Sequence, residues 1–314
     1  MINRRNIRVK VMQTLYTISS LEHDETTGLK PPANPQKILQ QHFDQTRSLL
    51  VYLIWSLTEI ARYAEKNAHQ RASKHLPTAE DLNVNTKIAG NEVLWKMLDD
   101  ASFEAQVGKD KPGQIMDTEL IKKLYHLLTE SKEYNVYIVT AGREKQDEKK
   151  ILEFILAELM LGNDDFVSHI EENFINWDDD GEMVIQLLEG YIQKPGNIDF
   201  NKMLSDDKEL FAKSLLNTVI EKDEHLQSLI IPKLKNWDPE RIAVLDMVMM
   251  KMGVAEFLYF ETIPPKVTIN EYIDLAKEYS TQQSGQFVNG ILDNIHKELM
   301  QQGKMIKIEY KKKG

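Results

Sequence analysis

The sequence predicts an all-α fold, and two observations lead to this prediction. Apolar residues recur at spacings of three and four along most of the 314-residue chain, which is the pattern of helices with one buried face. The last third of the chain also carries clear helix start and stop signals. One stretch, NVYIVTAG at 135–142, is a candidate strand, but it alternates too little between apolar and polar residues to support a sheet.

The first predicted helix is basic at its start and apolar along one face. Its buried stripe consists of Ile7, Val11, Leu15 and Ile18. A proline-rich break at 24–36 follows, and a long helix is then predicted from about Lys37 to His69. After weaker breaks, two more amphipathic helices are predicted at 144–161 and 181–193.

The last third predicts three successive helices. Asp238 and Pro239 are a start signal, because an aspartate caps a helix and a proline fits its first turn. The stripe that follows consists of Ile242, Leu245, Met249 and Met252. Thr268 and Glu271 have the spacing of a capping box for the next helix, and a final helix is predicted at 286–300.

Composition limits the class of protein. The chain has no cysteine, so disulfides and thiolate metal sites are excluded, and a reducing compartment is favoured. The longest apolar run, 49–57, is too short to cross a bilayer, and the N-terminus lacks the apolar core of a secretory signal. We therefore expect a cytoplasmic protein with no membrane association.

Positive charge is concentrated at the two ends of an acidic chain. The formal net charge is −10, yet the first 21 residues hold four basic side chains and no acidic one. Residues 303–314 hold five lysines and one glutamate. Such asymmetry is typical of a protein that binds a polyanion through one edge, although basic termini also serve solubility.

Catalytic and metal-binding motifs are missing from the sequence. It contains no glycine-rich phosphate loop, no HExxH and no GxSxG, and its eight histidines lack metal-ligand spacing. The acidic run at 176–182 resembles the start of a calcium loop, but position 12 of that loop falls on Leu187 instead of a glutamate. We predict a solvated turn there, no metal, no cofactor and no enzymatic activity.

Three motifs at opposite ends of the chain resemble the NusB family of bacterial transcription antitermination factors. The first, RRxxRxxxxQxLY, lies at 4–16. The second, PxKVxINExxxLAK, lies at 264–277, and the third, FVNGxLD, lies at 287–293. The resemblance covers about 1–21 and 205–302.

The resemblance implies a NusB-like helical bundle core with an additional helical region inserted after the first helix. The corresponding division is a basic first helix at 1–21, an enlarged region of unknown role at 22–204, a C-terminal bundle at 205–302 and a basic tail at 303–314. It also implies binding of boxA-type single-stranded RNA from ribosomal RNA leaders. The implied partners are a NusE-type small-subunit ribosomal protein and the RNA polymerase antitermination complex.

Site residues follow by position in the motifs. The residues expected to bind RNA are Arg4, Arg5, Arg8, Tyr16, Gln286, Phe287 and Asn289. Arginine suits phosphate and aromatic rings suit unpaired bases. Glu256 occupies the place of a family glutamate implicated in binding the ribosomal protein. Gly290 is expected to allow close helix packing.

Two alternatives remain open at this point. A NusB-like domain also precedes the catalytic domain of some RNA cytosine methyltransferases, but here the motifs lie at the C-terminal end and the upstream region lacks the alternating strands of such a domain. The other alternative is a protein-interaction scaffold that has kept the NusB fold and lost RNA binding. The large inserted region favours it, as do Gln282, Gln283 and Gln286, because many relatives carry charged residues at these three positions.

Overall fold

The computed structural model describes residues 2–23, 34–234 and 242–308. Within these ranges the regular secondary structure is helical, and no strand is present. The α-helices are α1 Arg4–His23, α2 Pro35–Ala72, α3 Ala79–Leu82, α4 Glu92–Leu98, α5 Ala101–Asp110, α6 Thr118–Glu130, α7 Lys132–Val139, α8 Lys145–Phe154, α9 Asp164–Asn173, α10 Trp177–Gln193, α11 Asp206–Glu221, α12 Asp223–Ile230, α13 Val244–Tyr259, α14 Pro265–Tyr279 and α15 Ser284–Gln301. The all-α prediction is confirmed.

The chain forms two compact units, which we call the terminal unit and the central unit. The terminal unit combines Ile2–His42 with the described residues from Leu204 onward, and the central unit is Phe43–Met203. The boundary on the N-terminal side falls inside α2, so the first turns of that helix group with α1.

The terminal unit is built around α13. This helix contacts α1, α11, α12, α14 and α15, and all its residues from Val248 to Phe257 are buried except the half-buried Lys251. A helix that is apolar on nearly every side is typical of the centre of a bundle. Gly253 permits the close approach of α15, because a Cβ there would lie 2.9 Å from a methyl group of Leu292.

The central unit packs shorter helices around α8. This helix contacts α4, α7 and α10 and continues into a π-helical segment at Ile155–Met160, against which α6 packs. Residues 135–139 of the candidate strand instead lie in α7, and 140–142 follow its end. Ser131 begins α7 by accepting a hydrogen bond from the Tyr134 backbone N–H at 3.1 Å. Tyr134 and Tyr137 are buried at a spacing of three, so the local pattern is helical.

Several predicted helix ends differ from the structure. Asp238 and Pro239 lie outside the described residues, and α13 begins at Val244. The capping box at Thr268 is wrong, because α14 already begins at Pro265 and Thr268 lies one turn inside it. The acidic run at 176–182 is also less solvated than predicted. Asp180 is buried in the first turn of α10, where it accepts hydrogen bonds from Thr46 (2.7 Å) and Asn176 (2.6 Å).

Candidate nucleic-acid interface

The basic start of α1 is only partly exposed. Arg8 and Lys10 are 2% and 1% exposed, and the whole stretch from Ile7 to Met12 is buried. Arg4 is exposed and Arg5 is half-buried. Of the four basic residues that gave this end its charge, two therefore reach the surface.

Arg8 forms a buried, two-point ion pair with Glu256 of α13. Its Nε lies 2.7 Å from Glu256 Oε1 and its Nη2 lies 3.1 Å from Oε2. The same carboxylate accepts hydrogen bonds from Thr268 Oγ1 and Tyr272 Oη of α14, each at 2.9 Å. Four donors on one fully buried carboxylate join three helices of the terminal unit.

This arrangement controls the ionisation of its members. Burial alone would lower the pKa of Arg8, but the hydrogen bonds and charge of Glu256 more than offset it and hold the pKa above its usual range. Burial and the neighbouring Glu256 carboxylate raise the pKa of the Tyr272 hydroxyl well above normal. Arg8 is therefore charged and Tyr272 neutral at physiological pH.

The buried ion pair revises two predicted roles. Glu256 is 0% exposed and its oxygens are occupied by Arg8, Thr268 and Tyr272, so a surface contact to a partner protein is incompatible with this structure. Arg8 likewise cannot offer its guanidinium to RNA while it neutralises Glu256. Sequence reasoning missed this pairing because 248 positions separate the two residues.

Arg4 and Arg5 lie at the surface of α1 in different surroundings. The Arg4 guanidinium lies over the ring of Phe211, 5.4 Å from its centroid, as expected for a cation–π contact. Arg5 Nη2 lies 2.8 Å from the Glu278 carboxylate near the end of α14, and its Nη1 lies 4.0 Å from Glu271. Arg5 is thus engaged by carboxylates of its own chain.

Tyr16 shares the exposed side of α1 with Arg5. Its side chain is 43% exposed. The two residues are eleven positions apart, which places them on one face of the helix and roughly 16 Å apart along its axis. This spacing suits an extended ligand that meets a cation at one end and an aromatic ring at the other.

The other residues expected to bind RNA lie at the start of α15. Gln286 and Asn289 are exposed and Phe287 is half-buried. Gly290 is exposed, and a Cβ there would contact no neighbouring atom within 4 Å, so the expectation that it permits close helix packing is wrong. The two positions that do serve close approach are Gly253 of α13 and Gly285 of α15, where an added Cβ would lie 2.7 Å from the Lys277 side chain.

A small hydroxyl cluster fixes the start of α15. Ser284 Oγ lies 2.8 Å from Asp246 Oδ2 of α13, and it also lies within hydrogen-bond distance of Ser280 (3.0 Å) and Thr281 (2.9 Å). These residues were not singled out from the sequence. The serine and threonine residues of STQQS are the signal that indicates such a cluster, because short hydroxyl side chains bond the ends of helices.

The predicted RNA-binding residues of α1 and of α15 are connected through α14, and α1 and α15 are not a major packing pair. The main neighbours of α1 within the terminal unit are α11 and α13, whereas α15 packs on α13 and α14. The Arg5–Glu278 ion pair links α1 to the end of α14, close in sequence to the turn that leads into α15.

The described part of the C-terminal tail is also anchored in this unit. Lys307 Nζ donates hydrogen bonds to the backbone carbonyls of Glu256 and Phe260, both at 2.8 Å, and the Ile308 N–H bonds the Glu261 carbonyl at 3.1 Å. A lysine at the C-terminal end of α13 satisfies free carbonyls and complements the helix dipole. Burial lowers the pKa of Lys307.

Two negative observations apply to the residues that the structure describes. Among them no group of three or more histidine, aspartate or glutamate side chains is arranged to hold a metal ion. None of their helices combines the length and the apolar character that a bilayer crossing requires.

Comparison with known proteins decides the family. The model of the NusB family matches residues 170–297. A transcription antitermination protein NusB from Methylacidiphilum infernorum is 41% identical over 100 residues, which are 32% of this chain and 69% of the relative. The chain belongs to the NusB family.

Two other NusB proteins give similar matches over shorter fractions of their length. The protein from Chloroherpeton thalassium is 41% identical over 93 residues, 30% of this chain and 44% of the relative. That from Salinibacter ruber is 40% identical over 97 residues, 31% of this chain and 61% of the relative. Both carry the name transcription antitermination protein NusB.

The NusB match does not coincide with the terminal unit. It begins at 170, near the end of α9, and so includes α10 of the central unit as well as α11–α14 and most of α15. The predicted resemblance was placed at 1–21 and 205–302. Most of the central unit, from residue 43 to 169, therefore lies outside the NusB match, as does α1.

Proposed function

We propose that this NusB-family chain is a transcription antitermination factor whose terminal unit binds boxA-type single-stranded RNA together with a NusE-type ribosomal protein. Its RNA contacts are Arg4, Arg5 and Tyr16 of α1 and Gln286, Phe287 and Asn289 of α15. The observation that carries the proposal is the exposed face of α1, which presents arginine and tyrosine on one side of a helix fixed from within by Arg8.

The chemistry of each group suits unpaired RNA. Arginine gives paired hydrogen bonds to phosphate, and the counterions released on binding make affinity depend on salt. Tyr16 and Phe287 offer rings on which unpaired bases stack, and Gln286 and Asn289 offer amides that bond base edges. The absence of a side chain at Gly290 leaves room for a base or ribose close to the α15 backbone.

Arg8 and Glu256 act as positioning residues in this proposal. Their ion pair holds α1 against α13 and thereby sets the direction in which Arg4, Arg5 and Tyr16 project. Because Arg8 is buried, its replacement tests the fold of the terminal unit and not RNA contact. A clean test of binding therefore uses Arg5.

The experiment is fluorescence anisotropy of a labelled boxA-like RNA with the full chain, at two salt concentrations, with and without the cognate NusE-type protein. Arg5→Ala is expected to weaken binding and to reduce the slope of log K against log salt by about one. Lys213→Ala is the matched control, since Lys213 is an exposed cation of the same unit that pairs with Glu209. An equal effect of both substitutions, or none, would contradict the assignment of Arg5.

One observation favours a second candidate, a NusB-fold scaffold that binds the ribosomal protein without RNA. Gln282, Gln283 and Gln286 place no charge at the exposed start of α15, and Arg5 is held by Glu278. Partner binding by isothermal titration calorimetry combined with no change in RNA anisotropy would establish the scaffold. Partner-enhanced, salt-sensitive RNA binding would exclude it.

A further inference from the structure

A cleft in the central unit has no role in the proposed function. It has a volume of about 420 Å³, within the range of small-molecule sites. One wall is a single stripe of α2 that includes Trp55, Glu59, Arg62 and Lys66, and the facing wall includes Ile121 of α6. The stripe residues recur at spacings of three and four, so they project from one side of the helix.

The stripe contains two buried donor atoms that lack an acceptor. The indole Nε1 of Trp55 and the guanidinium Nε of Arg62 are both inaccessible to solvent and have no hydrogen-bond partner. An unmet buried donor costs roughly 1–3 kcal/mol. The indole also lies close to the backbone of Gly113, since a Cβ added there would be 3.9 Å from Nε1, an ordinary van der Waals distance.

The charges of the cleft are mixed. Arg62 Nη1 lies 3.4 Å from Glu59 Oε1, and 38% of the Arg62 side chain remains exposed. Lys66 lies over the ring of Tyr63, 5.5 Å from its centroid. Burial raises the pKa of Glu59, so this carboxylate gains from a hydrogen-bond donor brought by a ligand.

These features together describe one kind of ligand. A complementary ligand has a flat ring that stacks on Trp55 and an anionic group that pairs with Arg62 and Lys66. It also has a hydrogen-bond donor for the Glu59 carboxylate. A simple anion would be repelled by Glu59 and Glu65, which also lines the cleft, whereas a purely apolar ligand would leave the cations unused. A nucleotide carries all three features, with its base, its phosphate and the amino group of its base.

We propose that this cleft of the central unit is a nucleotide-binding site, in which the base stacks on Trp55 and the phosphate binds Arg62 and Lys66. Glu59 accepts a hydrogen bond from an amino group of the base. Adenine, cytosine and guanine have such a group and uracil does not, so uridine nucleotides bind most weakly. The nucleotide is either free or part of a single-stranded RNA.

The test is isothermal titration calorimetry of the full chain with AMP, GMP, CMP and UMP. Arg62→Met is expected to weaken the binding of the amino-bearing nucleotides about tenfold, because it removes a charge-assisted contact. Trp55→Leu is expected to weaken it by a similar factor through loss of stacking. Circular dichroism of each variant checks that the helices remain folded, and Arg62→Lys is expected to restore part of the affinity.

Arg47→Met is the matched control. Arg47 lies on the same helix, pairs with the acid three positions before it (Asp44, 2.8 Å) and likewise has a buried Nε without a partner, but it does not line the cleft. Its replacement should leave nucleotide affinity within about twofold. An equal loss in both arginine variants would overturn the proposal.

A short single-stranded RNA, titrated in parallel, separates the two sources of nucleotide. Binding of mononucleotides that depends on Arg62 indicates a free nucleotide, and RNA binding that depends on Arg62 without mononucleotide binding indicates a nucleotide within RNA. If neither mononucleotide binding nor RNA binding changes when Arg62 or Trp55 is replaced, the proposed site is wrong. Arg5→Ala should not change mononucleotide affinity, so failure of this inference is distinguishable from failure of the proposed function.

Discussion

The terminal and central units neutralise their most deeply buried glutamates, Glu256 and Glu148, in different ways. Glu256 of the terminal unit is paired with Arg8, which is itself buried and lies 248 positions away. Glu148 of the central unit accepts hydrogen bonds from the Tyr137 hydroxyl at 2.7 Å and from the Glu92 backbone N–H at 2.7 Å, and its arginine, Arg143, remains one-third exposed. Removing the partner of a fully buried charge costs more stability than removing a partner that is itself partly exposed, because the charge left behind has no access to water.

The largest expected effect is that of breaking the terminal pair. Arg8→Met leaves the Glu256 carboxylate buried without its cation, and we expect a loss of about 3–5 kcal/mol in the free energy of unfolding. Chemical denaturation followed by circular dichroism measures it. The double variant Arg8→Met/Glu256→Gln should recover part of the loss, and a double variant no more stable than the single one would contradict the pairing.

Loss of one donor in the central unit should cost less. Tyr137→Phe removes one of several hydrogen bonds to Glu148, and we expect a destabilisation of about 1.5–3 kcal/mol, the range for a hydrogen bond to a charged group. The same denaturation experiment applies. Tyr259→Phe, at an exposed tyrosine, should be nearly neutral. A larger cost for Tyr137→Phe than for Arg8→Met would reverse the comparison between the units.

Two glycines of the terminal unit should respond in opposite directions. Gly290→Ala adds a methyl group in open space within α15 and should stabilise the chain by about 0.5–1 kcal/mol, because alanine is the better helix former. Gly253→Ala should destabilise it, since the new Cβ would meet Leu292 at 2.9 Å. Thermal unfolding of the two variants measures the sign of each effect. A shift of Tm in the same direction for both would contradict the prediction.

The smallest expected effect concerns the exposed ion pair of α1. RNA phosphate must displace Glu278 from Arg5, and exposed ion pairs contribute about 0.2–1 kcal/mol. Glu278→Gln should therefore tighten RNA binding by about twofold to fivefold in the anisotropy assay. Asp274→Asn, which removes a neighbouring exposed acid of α14, controls for general charge. Equal tightening by both variants would show that the specific pair is unimportant.

Local patterns were sufficient to predict much of the fold. The long helix predicted from Lys37 to His69 is α2, because a 3.6-residue period sustained over many turns is a strong signal. The strand candidate at 135–142 was ambiguous because a short apolar run has little period to measure, and the structure places its first five residues in α7. Thr268 matched a capping box by spacing alone, whereas Pro265 begins the helix earlier.

The site could be predicted only in part. Motif positions selected Arg4, Arg5, Tyr16 and the start of α15, and the structure places these side chains at or near the surface. The buried ion pair of Arg8 and Glu256 could not be predicted, because a sequence gives residue types but not which distant residues come into contact. The cleft on α2 was missed for the same reason, since its facing wall comes from residues fifty or more positions away.

The contact of Lys307 with α13 gives the last described residues of the chain an influence on its first helix. Lys307 bonds the backbone carbonyl of Glu256, and the side chain of that residue holds Arg8. Glu256 is thus in contact with both the first helix and the described part of the C-terminal tail. Loss of the tail would therefore leave the carbonyls of Glu256 and Phe260, at the end of the helix that carries the partner of Arg8, without their lysine donor.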